Sequence, residues 1–204
     1  MGGTSHIADG TEKKTPMMHQ SEYFNYTIDS FNSDAGAIPL YILEMPYKGK
    51  NASMILFMPE ANHDLSLLEK EMNEANLQKW ISALSNKRNK IHVVIPKFKM
   101  SLSYFLNDNL KNMGIKNAFE ENLADFTGIA PTKLFISLVA HKAYIEVDEE
   151  GTTAVAATVV RVSASAVTND FIADHPFIFI IRENTTGSIL FMGRVMDPTE
   201  KDES

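Results

Sequence analysis

Six histidines are the first residues able to do chemistry in this 204-residue chain: His6, His19, His63, His92, His141 and His175. No two are four residues apart, the spacing that sets two imidazoles on one helix face around a metal, so no metal site is expected from spacing. Asp174 and His175 adjoin a serine-bearing stretch and suggest a hydrolytic triad. However, no G-x-S-x-G elbow is present, and triads are assembled in space, not by adjacency. There is no cysteine, which removes disulfides, thiol catalysis and cysteine-based zinc sites. There is no phosphate-binding glycine loop either. The chain is therefore expected to be no enzyme and to need no cofactor.

The remaining stretch of interest is EVDEEGTTAVAATVVRVSASAV, residues 146–167, where an acidic cluster stops at a glycine and small residues follow. As a strand, it would place Thr152, Ala154, Ala156, Thr158 and Val160 on one side. Thr153, Val155, Ala157, Val159 and Arg161 would take the other. None is bulky except Arg161, so the segment could be a plain strand, a linker, or an exposed loop able to become a strand.

The elements around it have to hold it. Residues 37–59 read as two strands around KGKN, with Pro46 and Pro59 at strand ends. Asp64 and Asn73 are each placed to cap a short helix. Leu65, Leu68 and Met72 line the first, and Leu77, Trp80, Ile81 and Leu84 the second, with Trp80 in the core. IHVVIPKFKMSL reads as strand, and SYFLNDNLKNMG as a helix ended by Gly114. Residues 134–147 read as one long strand with Val139, His141, Ala143, Ile145 and Val147 on one face, which makes His141 a buried, hydrogen-bonded residue. FIFIIR and SILFMGRV form a hairpin across ENTTG, both apolar enough for a buried sheet. The class is α+β, rich in strands over more than one sheet, with short helices.

A hydrophobic fraction of 44% and a charged fraction of 22% fit a folded domain with a sizeable core. The net charge of -7 argues against nucleic-acid binding, and KRNK at 87–90 reads as a solvated turn. No apolar run approaches a membrane span. Residues 1–13 carry no apolar signal core and are expected to be a polar, disordered lead-in; residues 198–204 are expected to be a tail. The sequons at Asn25, Asn51 and Asn184 lean towards a secreted glycoprotein.

EEGTTAVAAT resembles the hinge of the reactive-centre loop of serpins, inhibitors of serine proteases that work by changing shape. FIADHPFIFII is similar to the family's C-terminal signature, with Asp174, His175, Pro176 and Phe177 at its centre. SILFMGRV resembles its final strand, and LFISLVAHKAYIEVDEEGT the strand that feeds the loop. IPKFKMSLSYFLNDNLKNMGIKNAF, ADFTGI, TPMMHQ and LEMPYKGKNASMILFMPE fit in the family's order. The similarity spans residues 14–197, a partial serpin domain, with the reactive-centre loop at about 150–170.

The resemblance implies a suicide substrate. A protease cleaves the loop and becomes covalently attached, and the loop inserts as a strand into a β-sheet. Glu149, Glu150, Gly151, Thr152, Thr153, Ala154, Val155, Ala156, Ala157 and Thr158 would form the hinge, with Gly151 as the bend. The family's loop length puts the reactive bond between Ser165 and Ala166, which suits an elastase-like serine protease. Arg161, the alternative, would suit a trypsin-like one. Lys97 would pair with Glu149, and His141 would sit beneath the sheet opening. The implied full-length relative is extracellular, with a cytoplasmic place left open because the chain shows no signal peptide. The N-terminal half of the family fold is expected to be missing, making that half a partner and leaving this chain alone a poor inhibitor. A non-inhibitory binding protein or simple protease substrate is the alternative.

Overall fold

The computed structural model describes residues 2–7, 11–149 and 169–199. The chain divides into two units. One comprises Met1–Phe98 and Val147–Glu200; Lys99–Glu146 lies in the other.

The strands and helices of the first unit begin with β1 (Gly2–His6) and β2 (Glu12–Ser33), then β3 (Gly36–Pro46) and β4 (Ala52–Pro59). Two short helices follow, α1 (Leu65–Glu71) and α2 (Glu74–Ala83), and then β5 (Arg88–Pro96). The second unit holds nearly all of β6 (Phe98–Phe105), α3 (Asn107–Asn112), a 3-10 turn at Asn117–Phe119, and nearly all of β7 (Ala140–Val147). The chain returns to the first unit with β8 (Asn169–Ile172), β9 (Phe177–Glu183) and β10 (Ile189–Val195).

The first unit is built on one sheet in the order β10-β9-β4-β3-β2-β5-β8, with β1 added beside β2. All its pairings are antiparallel except β5 with β8. β2 runs 22 residues, against the usual three to about ten. It serves successive partners: residues 12–16 pair β1, 17–25 pair β5, and 25–33 pair β3. No proline or glycine interrupts it after Pro16, and Tyr23, Phe24, Tyr26, Ile28 and Phe31 favour extended backbone. The expected disordered lead-in is corrected here. Residues 2–6 form β1, whose backbone ladder to residues 12–16 needs no apolar side chains.

One face of the sheet is covered by the two helices. Leu40, Ile42, Ile55, Phe57, Ile178 and Ile180 pack with Leu65, Leu68, Trp80 and Leu84. The indole of Trp80 lies 6.0 Å from the Phe57 ring. Burying a side chain of this size contributes on the order of 4–6 kcal/mol. The helices start where their caps fix them. Asp64 Oδ1 accepts from Ser66 N at 2.9 Å, and Asn73 Oδ1 from Asn76 N at 3.0 Å.

β9 and β10 form the expected hairpin, but its two strands differ. β9 is buried from Phe177 to Ile180, whereas Ile189, Leu190, Phe191 and Met192 of β10 are exposed. β10 is an edge strand among the described residues, so composition alone overstated its cover. The hairpin turn is closed by Glu183, whose carboxylate accepts from Thr186 N at 2.6 Å and Thr185 N at 2.8 Å. Those bonds, the Thr186 amide first, pull its pKa down to about 2.

In the second unit, β6 and β7 pair as a two-stranded sheet. Lys99 and Glu146 bridge it with a 2.5 Å ion pair. The expected strand over 134–147 begins only at Ala140. Upstream, the backbone has other partners. Asn107 Nδ2 donates to Ser137 O at 2.9 Å, Asn107 Oδ1 accepts from Val139 N at 2.8 Å, and Ile136 N donates to Ala118 O. An asparagine side chain imitating a strand neighbour leaves no signal in hydrophobic periodicity.

Candidate functional site: the moorings of residues 150–168

The hinge residues from Glu150 to Thr158, the bond between Ser165 and Ala166, and Arg161 lie outside the described residues. The structure instead defines where that segment departs and where it returns. Both ends are in the first unit.

The departing end is Glu149, two residues after β7. Its carboxylate forms an ion pair with Lys97 Nζ. Lys97 directly follows β5, and its backbone N–H donates to Pro16 O at 2.9 Å, so the cation stands on the β2–β5 ladder. The Lys97 hydrogen bond leads in holding the Glu149 carboxyl below the usual carboxylate range, aided by a backbone hydrogen bond and the lysine's charge. Both side chains are more than a third exposed. Water and salt screen the pair, so it fixes direction more than it adds stability.

The returning end runs along the same strand. β8 lies parallel to β5, with Ile91 opposite Asn169 and Val94 opposite Ile172. Ala173 N continues the ladder to Val94 O at 2.8 Å. Then comes a polar clamp. Nδ1 of His175 meets Asp174 Oδ1 at 2.7 Å, and Nε2 meets Pro59 O at 2.8 Å. A carboxylate and a carbonyl can only accept, so both contacts are satisfied together when the ring is an imidazolium with both nitrogens donating. Burial opposes that charge. The Asp174 hydrogen bond, the Pro59 carbonyl and the Asp174 charge outweigh it, and the pKa of His175 is raised. Asp174 is correspondingly held below the usual range, first by the His175 hydrogen bond.

The clamp is locked from outside by β1. The Asp174 carbonyl accepts from His6 N and, at 3.3 Å, from Ser5 Oγ. Beyond Pro176, Phe177 is buried and meets Phe98 edge-on at 6.0 Å. A triad is not what these residues make. The His175 imidazole is fully occupied by a carboxylate and a backbone carbonyl, which leaves no ring nitrogen to activate a nucleophile.

Two expectations change. His141 is exposed on β7, in the second unit, instead of buried; the alternation that buries one face takes hold only from Ala143 to Val147. The secreted glycoprotein reading is weakened at two of its sequons. Asn25 Nδ2 donates to Glu44 Oε2 at 2.8 Å, and Asn184 Nδ2 donates to Lys50 O and Ser53 Oγ, both at 2.9 Å. A glycan replaces one of the two amide hydrogens, so on Asn184 it would displace one of two bonds, and both sites are half-buried, unlike the exposed Asn51. Sequence reasoning also missed Ser5, His6 and the Pro59 carbonyl. They meet Asp174 and His175 across more than a hundred residues, and no local spacing announces that.

Comparison with known proteins gives this arrangement its setting. A family model described as Serpin (serine protease inhibitor) matches residues 4–198. Leukocyte elastase inhibitor A of Rattus norvegicus is 37% identical over 195 residues, covering 91% of this chain and 49% of that protein. Serpin B4 of Homo sapiens is 38% identical over 192 residues, covering 92% and 47%. Among solved structures, native protease nexin-1 with heparin superposes with a TM-score of 0.76 at 30% identity, covering 97% of this chain and 51% of that one. The thyroxine-binding globulin complex with thyroxine gives 0.77 at 31%, covering 98% and 51%. The chain spans about half the length of the curated relatives it matches.

Proposed function

The chain belongs to the serpin family, and from that premise we propose that residues 150–168 are a bait loop by which it acts as a suicide substrate of a serine protease. The observation that carries this reading is the double mooring on β5. The loop leaves from the Lys97–Glu149 pair and returns along β8 to the His175 clamp. A protease can engage a loop held at both ends without unfolding the sheet beneath it.

The chemistry belongs to the protease. Its serine oxygen attacks the Ser165 carbonyl carbon, and the bond to the Ala166 nitrogen breaks. That nitrogen leaves as an amine carrying a proton, and Ser165 remains esterified to the enzyme. The small Ser165 side chain suits an elastase-like pocket, and relatives bearing the name leukocyte elastase inhibitor support that preference. Arg161 would direct a trypsin-like enzyme closer to the hinge. On this reading the protein inhibits a protease and is not itself an enzyme.

Trapping the ester requires the cut loop to insert beside β7. Ten residues paired on one side make about ten ladder bonds, on the order of 10 kcal/mol. Fixing their backbones costs about 1–2 kcal/mol each. One-sided insertion therefore breaks even at best, whereas a strand on each side would double the gain. Among the described residues the β6–β7 sheet has two strands, and this favours a second reading, in which the loop is cleaved without trapping. Incubation with elastase-like and trypsin-like proteases, followed by denaturing electrophoresis, separates the two. A band combining protease and chain supports the inhibitor, clean cleavage within 150–168 supports the simple substrate, and an uncut loop refutes both.

A further inference from the structure

On the face of the β2–β5 ladder that carries Ser21, within the strands that also moor the loop segment, His19 and His92 stand diagonally across the two strands. His19 pairs in register with Val94, and Ser21 with His92, so both imidazoles project from one face. Their ring centroids are 5.8 Å apart with planes 31° from parallel. His19 is exposed and His92 half-buried. We infer that His19 and His92 form a two-pronged site for a borderline divalent transition metal, of the class of Zn(II) and Cu(II).

The distances suit this assignment. A metal about 2.0–2.1 Å from a ring nitrogen lies about 3.2 Å from that ring's centre, and two rings at the tetrahedral angle then have centres about 5.2 Å apart. Closing the observed separation to that value is a small rotation, open to the exposed His19 while Ser21 holds His92 in place. Ser21 supplies the outer partner such a ligand needs. Its Oγ lies 2.9 Å from His92 Nδ1, and when Nδ1–H donates to it, Nε2 is left with its lone pair for the metal. Asp170 of β8 is the register partner of His92 and brings a carboxylate to the neighbouring strand, while Lys90 lies two residues along β5. No group of three or more ligating side chains converges among the described residues, so water completes the coordination shell.

The test is calorimetric titration of tag-free protein with Zn(II) and Cu(II), with the electron paramagnetic resonance spectrum of the Cu(II) complex recorded in parallel. The expected result is one equivalent bound, Cu(II) more tightly than Zn(II), with two imidazole nitrogens on the copper. His19→Gln and His92→Gln each abolish it, and Ser21→Ala weakens it by about tenfold. His63→Gln, at an exposed histidine outside the pair, leaves it unchanged. Unaltered tryptophan emission shows that each variant keeps its core around Trp80. Absence of Cu(II) binding, or binding that survives in either histidine variant, overturns the inference.

Discussion

Replacing His175 with glutamine isolates the clamp at which the loop segment returns. Two hydrogen bonds go. The bond to Pro59 O comes from a ring only 13% exposed, and a charged donor in such a place contributes about 1.5–3 kcal/mol. The bond to Asp174 ends on a carboxylate 40% exposed, where screening reduces the pair to about 0.2–1 kcal/mol. His175→Gln should therefore destabilise the first unit by about 2–4 kcal/mol near pH 6. The effect depends on pH with a definite sign. Because the folded pKa of His175 is raised, its contribution is complete below the unfolded value of 6.5 and is lost as pH rises through the folded value. Asp174, lowered by the same contact, contributes fully above 3.8 and loses that contribution only as pH falls below it. His19 acts in the opposite direction. Burial first, and then the charge of His92, lower its pKa, so its contribution is lost as pH falls below 6.5. The difference between variant and parent cancels that background. Urea unfolding followed by emission of Trp80, the one tryptophan and a core residue of the same unit, is the assay. The gap between parent and variant should be widest near pH 6 and narrow towards pH 9. A gap independent of pH, or one below about 0.5 kcal/mol at pH 6, would refute the doubly bonded imidazolium.

Other substitutions probe different parts of the account. Leu68→Ala empties a fully buried position beneath the helices and should cost about 2–5 kcal/mol in the same unfolding assay. Gly193→Ala should cost about 1–3 kcal/mol, because a Cβ there would come within 2.7 Å of the Phe179 ring, itself packed against Phe98. Thr152→Arg places a charge in the proposed hinge; it should abolish any covalent protease complex while leaving cleavage of the loop intact, as read on a denaturing gel. An unchanged complex would mean that insertion does not pass through Thr152.

Local features were legible where one side chain decides one element. Asp64 and Asn73 cap the helices that their spacing predicts, and Trp80 lies in the core its periodicity implies. Other features were hidden because the deciding partner is remote. β2 escaped notice because its face changes partner twice along 22 residues, which blurs the alternation. The strand over 134–139 failed because the Asn107 amide satisfies that backbone instead. At the site, Asp174, His175, Pro176 and Phe177 stood out as a motif, but their work did not. The motif reads as adjacent acid and base, and the structure does pair them, but it also ties the base to the Pro59 carbonyl and the acid's own carbonyl to β1. Along a helix the six histidines are scattered, with no two at metal-binding spacing. Only the β2–β5 register brings His19 to His92.

The central claim is that residues 150–168 are bait cut between Ser165 and Ala166. Intact-mass spectrometry after incubation with an elastase-like protease tests it most directly. The account predicts release of a C-terminal fragment beginning at Ala166, with its N-terminal counterpart ending at Ser165 either free or esterified to the protease serine. A chain that stays whole, or is cut only outside 150–168, would contradict it.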